Sequence, residues 1–262
     1  MTALVTGASA GIGAAIAREF AARGFDLVLT ARRADRLEAL ARELADTHGC
    51  AARVVAADLA DPAAPGRIHD EVARAGLTID ALVNNAGYGL PGGFLGSSWE
   101  EHRAFVQVMV TSVAHLCHLF APGMVARGRG YIINVGSVAG LVPGTAGHTL
   151  YGAAKSLVIR FSESLALELR PRGVHVTALC PGFTYSEFHD VNGMRRQVSQ
   201  LPRWMWMDAD TVARQAYEAV MRGDIVCVNG RVNRAIVALA RYTPQWIVSR
   251  VALGAAKKFR RV

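Results

Sequence analysis

Short apolar runs alternate with longer amphipathic stretches almost from end to end, and this alternation leaves few folds open to the chain. The runs Ala3–Thr6, Asp26–Thr30, Arg53–Ala57, Ala81–Asn84, Tyr131–Val135, Val174–Leu179 and Ile225–Val228 read as buried strands, apolar throughout rather than on every second residue. Helical patterns fill most of the gaps: Gly11–Arg23, Ala34–His48, Pro65–Arg74, Trp99–Arg127, Tyr151–Arg170 and Asp208–Arg222. Gly24, Gly49, Gly76, Gly128 and Gly173 follow five of them, where a left-handed cap ends a helix. Strand–helix alternation of this kind predicts an α/β fold, a doubly wound parallel sheet with helices on both faces. At 262 residues and 52% hydrophobic, the chain can fill one such domain. No linker, low-complexity segment or short repeat breaks it. The expectation is one domain over residues 1–230 and a C-terminal extension over 231–262.

The net charge of +8 is unevenly placed. After Asp224 there are eight basic residues and no acid, so residues 1–224 are neutral and the last 38 carry the excess. From about Pro244 a helix is expected, with Ile247, Val251, Ala255 and Phe259 on one stripe. Arg250, Lys257, Lys258 and Arg261 fall on the other side, near Trp246. Such a helix suits weak contact with an anionic membrane surface or an acidic carrier protein. It equally suits packing of the stripe on its own domain or on a neighbouring subunit. Nothing points to nucleic acid. No apolar run approaches ~18 residues, and the N-terminus has no basic segment or cleavage site, so neither a spanning helix nor a secretory signal is expected. Cys50, Cys117, Cys180 and Cys227 lie far apart and read as reduced thiols of a cytoplasmic protein, one that could also sit peripheral to a membrane.

The first strand runs into Thr6-Gly7-Ala8-Ser9-Ala10-Gly11-Ile12-Gly13. Glycines between a strand and a helix let the backbone approach a pyrophosphate, with the helix N-terminus facing the anion. The alternative is a tight turn with close helix packing. The second strand ends in Thr30-Ala31-Arg32-Arg33, where a site for NAD usually offers a carboxylate to the ribose. Two guanidiniums there suit a 2′-phosphate, which favours NADP(H); the alternative is a solvated pair at a helix start.

Tyr151-Gly152-Ala153-Ala154-Lys155 sets a phenol and an ammonium four residues apart on one helix face. An unperturbed tyrosine, with a pKa of about 10, is a poor base at neutral pH. A nearby ammonium favours the phenolate, as does an oxidised nicotinamide, so Tyr151 can exchange a proton while a hydride moves.

Taken in order, Thr6–Gly13, Asp58-Leu59, Asn84-Asn85-Ala86-Gly87, Ser137, Tyr151 with Lys155, and Pro181-Gly182 resemble the motifs of the short-chain dehydrogenase/reductase family, from residue 2 to about residue 230. The resemblance implies a Rossmann-type fold and an NADP(H)-dependent ketoreductase or alcohol dehydrogenase. It implies that Gly7, Ser9, Gly11, Ile12 and Gly13 hold the cofactor, that Asp58 beside Leu59 meets the adenine, and that Asn84 supports the cofactor-side turn. Ala86 and Gly87 would pass close to the cofactor. Ser137 would orient the substrate carbonyl, Lys155 would hold the nicotinamide ribose, and Thr184 and Ser186 after Pro181-Gly182 would fix the carboxamide. Pairing through the long helices, as a homodimer or homotetramer, is also implied.

Three departures from the family pattern stand out. Met109 occupies the place of an asparagine, thirteen residues before Pro122, that normally kinks the long helix and holds a water linked to the lysine. A thioether does this poorly, and Ser112 could hold the water instead. Ser137 precedes Tyr151 by fourteen residues rather than thirteen, with the extra residue expected in Pro143–Thr149, and Ser186 replaces a threonine. Substrate contacts are expected from Tyr88, Phe183, Phe188 and Trp204-Met205-Trp206-Met207, an apolar inventory suited to a bulky lipophilic carbonyl or alcohol. The plainer reading of the Trp/Met cluster is a lid packed on the sheet. His115 and His118 read as structural, and no metal is assigned. No G-x-S-x-G elbow supports a hydrolase. Two classes remain: an NADP(H)-dependent oxidoreductase, and a regulatory or scaffold protein that keeps the fold and cofactor but has weakened turnover.

Overall fold

The computed structural model describes residues 1–144, 149–186, 202–243 and 250. The strands are β1 (Thr2–Thr6), β2 (Asp26–Ala31), β3 (Ala52–Ala56), β4 (Ala81–Asn84), β5 (Gly130–Val135), β6 (Val174–Cys180), β7 (Phe183–Thr184), β8 (Trp206–Met207) and β9 (Val226–Val228). Seven form one sheet in the order β3-β2-β1-β4-β5-β6-β9, while β7 and β8 pair apart as a ribbon. Every pair is parallel; in the centre Val5 lies opposite Leu29 on β2 and Val83 on β4.

Parallel neighbours need crossovers, which the helices supply. They are α1 (Gly11–Ala22), α2 (Ala34–His48), α3 (Ala64–Arg74), α4 (Trp99–Val106), α5 (Ser112–Ala126), α6 (Thr149–Leu169), α7 (Ala209–Arg222) and α8 (Arg231–Tyr242). Side chains alternate across β1, so Ala3 and Val5 join Ile16, Phe20, Leu37, Leu44 and Val220 under α1, α2 and α7. Leu4 points the other way, to Ile68, Val72, Leu116, Phe120 and Met124 of α3 and α5. Both faces are covered, which is why β1 reads as an unbroken apolar run. A fully buried leucine such as Leu4 stabilises the fold by about 1.5–3 kcal/mol.

The expectation that all seven strands are buried and apolar throughout fails at the two edges of the sheet: the residues of β9 are only half-buried, and β3 departs further. It is an edge strand in which only Val55 is buried, and the exposed Arg53 is the kind of charge that discourages further strand pairing. All five cap glycines do take left-handed backbone, with φ between 65° and 80°. The helix expected over Trp99–Arg127 starts with a capping box, Ser98 with Glu101. It is then interrupted by a π-helical turn at Gln107–Thr111. By length and composition alone Trp99–Ala126 could cross a membrane, but half of its most apolar window is buried in this fold. The helix expected from Pro244, the loop residues 145–148 and Phe188 lie outside the described residues. α8 is a helix within the expected helical C-terminal extension over 231–262, although the sequence alone does not separate it from the tail that follows.

Candidate active site

Six parallel strands end at one edge of the sheet and deliver the motifs there: Gly7 follows β1, Arg32 follows β2, Asp58 lies just past β3, Asn85 follows β4, Ser137 lies just past β5 and Pro181 follows β6. Strand order reverses between β1 and β4, the crevice where open α/β sheets bind ligands. Gly7 has φ of 68°, and a Cβ on it would lie 2.7 Å from Asn85 Nδ2 and 2.8 Å from Ala86 Cα. A Cβ on Gly13 would collide with the Gly7 carbonyl oxygen and the Asn85 amide. Both positions must therefore be glycine. Ala10, at the N-cap of α1, offers no side-chain cap, so the first-turn amides remain available to an anion. These features fit a nucleotide pyrophosphate.

Arg32 and Arg33 are exposed, and Arg33 Nη2 donates to Ser9 Oγ at 3.2 Å, tying the end of β2 to the glycine turn. Ser9, Gly11, Arg36, Tyr185 and Ser186 line a groove beside them. Arg18, also on that groove, is held by both oxygens of Glu43. The half-buried Ile12 packs against the core on the α1 side. Asp58 is exposed and accepts from the Ala60 N–H at 3.0 Å, while Leu59 is buried.

Asn84 is not the support of the cofactor-side turn. Its side chain points into the core and donates to Asn134 Oδ1 at 2.8 Å, and Asn134 donates in turn to Ser162 Oγ at 2.9 Å. The support comes from two residues that the sequence reading did not select, Asn85 and Thr6. Asn85 Nδ2 donates to the carbonyls of Thr6 and Gly7, and the Thr6 hydroxyl accepts from the N–H groups of Asn85 and Ala86. The neighbouring Gly87 packs against Met109: a Cβ there would lie 2.8 Å from the sulfur.

Ser137 begins a 3₁₀ turn over Val138–Gly140, its Oγ accepting from the Ala139 N–H at 3.1 Å. It is also hydrogen-bonded to Tyr151, in the first turn of α6. Burial pushes the Tyr151 phenol above its ordinary range, and the Ser137 hydroxyl pulls it partly back. Tyr151 as a residue is half-buried. Lys155 is buried, and its Nζ donates to the Val135 carbonyl at 2.7 Å, 5.8 Å from the Tyr151 ring centre. Burial pulls its ammonium down to about 8. Desolvation thus outweighs any lowering of the phenol by Lys155.

The Pro181 carbonyl accepts from the Val138 N–H at 3.0 Å and from Ser137 Oγ at 3.5 Å. Beyond it, Thr184 Oγ1 donates to the Gly182 carbonyl at 3.1 Å and Ser186 Oγ to the Thr184 carbonyl at 3.4 Å. Ser186 reaches back to the glycine turn, where a Cβ on Gly11 would lie 2.9 Å from its own Cβ. The carboxy-terminal motif therefore closes onto the amino-terminal one.

Met109 is buried among Phe105, Ala154, Leu90 and Leu150, against Tyr151. Ser112, the expected substitute holder of a water, is committed elsewhere: it donates to the Leu59 carbonyl at 3.0 Å and accepts from Gln107 Nε2 at 3.1 Å. His118 is exposed and His115 half-buried on α5.

A phenol, a hydroxyl and an ammonium at the mouth of a glycine-built nucleotide crevice can polarise and protonate a carbonyl beside a bound cofactor. Comparison with known proteins agrees with this chemistry. Residues 1–196 match the family model for short chain dehydrogenase. An oxidoreductase of Myxococcus xanthus is 36% identical over 224 residues, 85% of each chain. A short-chain dehydrogenase from Sphingobium yanoikuyae, solved in complex with NADPH, superposes with a TM-score of 0.81 at 35% identity, over 93% of this chain and 96% of that one. The bulky-bulky ketone specific alcohol dehydrogenase from Comamonas testosteroni superposes with a TM-score of 0.76 at 31% identity, over 93% and 95%. With this site, on this sheet, among these relatives, the chain belongs to the short-chain dehydrogenase family of NAD(P)-dependent oxidoreductases.

Proposed function

We propose that the protein reduces a bulky lipophilic ketone or aldehyde with NADPH, Tyr151 giving the proton. The observation that carries this is the Ser137–Tyr151–Lys155 group at the same edge of the sheet as the glycine turn. Bound NADPH supplies the hydride. Ser137 hydrogen-bonds the substrate oxygen and keeps it next to the phenol. A phenol is ordinarily protonated at neutral pH, the form that reduction needs, and burial of Tyr151 favours that form further. Lys155, with its pKa of about 8, is still charged there and stabilises the tyrosinate left after proton transfer. Gly7, Gly11 and Gly13 with the open end of α1 hold the pyrophosphate, and Arg32 and Arg33 hold the 2′-phosphate.

Support for the substrate class comes from aromatic surface beside the site. Tyr185 stacks on Trp206 with ring centres 4.9 Å apart, and Trp204 is 63% exposed. The relative specific for bulky-bulky ketones points the same way. Pairing of two chains through α4–α5 and α6 agrees with the exposed Trp99, Leu157 and Leu167 on those helices.

The test is NADPH oxidation against ketones of graded size by wild type and Tyr151→Phe. Turnover should be lost in the variant while NADPH affinity stays within a few-fold, about 1 kcal/mol. A Phe variant with near wild-type turnover overturns the assignment.

A further inference from the structure

Gly182 is not glycine for conformational reasons, because its φ lies outside the left-handed region that ten other glycines of the described chain occupy. Space is the constraint. A Cβ on Gly182 would lie 2.5 Å from both Nδ2 and Oδ1 of Asn233. Asn233 belongs to the first turn of α8 and is 7% exposed, an unusual depth for an asparagine so near a helix start. Its Nδ2 donates to the Asn229 carbonyl at 2.7 Å and touches Met207 Sδ at 3.8 Å. Asn229 is fully buried; its N–H donates to the carbonyl of Cys180, the last residue of β6, at 3.4 Å, and its Nδ2 to Gln215 Oε1 of α7 at 3.0 Å. The Asn233 amide is thus a wedge fixed from β6, α7 and β8, with its flat face against Gly182.

What rests on that wedge is the site. The Gly182 carbonyl accepts from Thr184, and the preceding Pro181 carbonyl accepts from Ser137. We infer that Asn233 is a positioning residue: by setting the height of the Pro181–Thr184 turn it fixes both Ser137 and the segment that would meet the nicotinamide end of the cofactor. The inference rests on the function proposed above. It assigns α8 a part in cofactor geometry although α8 lies behind the turn rather than beside the reacting atoms.

The experiment measures binding of NADPH and of 2′-phospho-ADP-ribose, which lacks the nicotinamide, to wild type, Asn233→Ala, Gly182→Ala and the double variant. Asn233→Ala should weaken NADPH about tenfold and leave the nicotinamide-free fragment unchanged. Gly182→Ala should weaken NADPH strongly in the wild-type background and much less where Asn233 has been cut back. If Asn233→Ala fails to fold, Asn233→Ser, which keeps a donor, takes its place in the same cycle. Equal loss of both ligands, unchanged NADPH binding, or additive effects of the two substitutions would each overturn the inference. Wild type that binds neither ligand would instead overturn the proposed function itself.

Discussion

Asn85 donates its side-chain amide to the carbonyls of Thr6 at 2.9 Å and Gly7 at 3.3 Å, locking the turn after β4 onto the turn after β1. The two turns form the walls of the nucleotide crevice, and this amide, together with the Thr6 hydroxyl that accepts from the N–H groups of Asn85 and Ala86, holds them together. Asn85→Ala leaves two carbonyls short of a donor and should cost about 1–3 kcal/mol of stability. Cofactor affinity should fall as well, because the crevice is no longer held. Urea unfolding and an NADPH titration on the same protein check both. Lost stability with unchanged affinity would show that the latch serves the fold alone.

Arg33 reaches Ser9 on the glycine turn, which places a guanidinium where the adenosine end of a nucleotide would lie. Removing a charge-assisted contact to phosphate costs on the order of 1.5–3 kcal/mol, tenfold or more in affinity. Arg33→Ala and Arg32→Ala should therefore each weaken NADPH by that factor and leave NADH nearly unchanged. Equal affinity of the wild type for the two cofactors would contradict the choice of NADP(H).

The parts of the site readable in the sequence are the local ones. Tyr151 and Lys155 are four residues apart on one helix, and Gly7, Gly11 and Gly13 sit within one turn, so spacing alone implies their geometry. Asn84 and Asn85 show where that ends. Successive residues of a strand face opposite ways, and which of two adjacent asparagines enters the core depends on the register of β4 with β5, where Asn84 meets Asn134. Thr6 and Asn233 act across long sequence separations, with no periodicity to announce them. The sheet is legible because both of its faces are covered, and β3 departs from the pattern because it lies at the sheet edge, where only Val55 is buried.

Lys155 should make stability depend on pH in a particular direction. Its folded-state pKa is about 8 against an ordinary value of 10.5. Below pH 8 both states carry the proton and the cost of burying the charge is fully present. Between pH 8 and 10.5 the unfolded chain keeps a proton that the folded protein has lost, so rising pH relieves that cost. Lys155→Met removes the charge, and at pH 7 should be more stable than wild type by about 2 kcal/mol, less than the full shift because the Val135 carbonyl loses its donor. The gain should shrink as pH approaches 10, while turnover is lost at every pH. Unfolding of both proteins at pH 7 and pH 10 measures it, and a difference that does not change with pH would refute the assignment.

Met109 is the sharpest departure from the family pattern, and it packs in an apolar surrounding. The side chain is 1% exposed, with its sulfur against Gly87, and lies in a cluster with Phe105, Ala154, Leu90 and Leu150. Restoring an asparagine places an amide among apolar groups. Without a partner that burial costs on the order of 1–3 kcal/mol. Met109→Leu conserves volume and should cost less than about 1.5 kcal/mol. The expected order of unfolding midpoints is wild type, then Leu, then Asn, with turnover following the same order because Tyr151 packs on this cluster. Ser112→Ala should leave turnover nearly intact, since the Ser112 hydroxyl serves Leu59 and Gln107. An Asn variant as stable as wild type and faster would mean that backbone groups of the Asn85–Gly87 turn accept the amide and that the proton path still runs past residue 109.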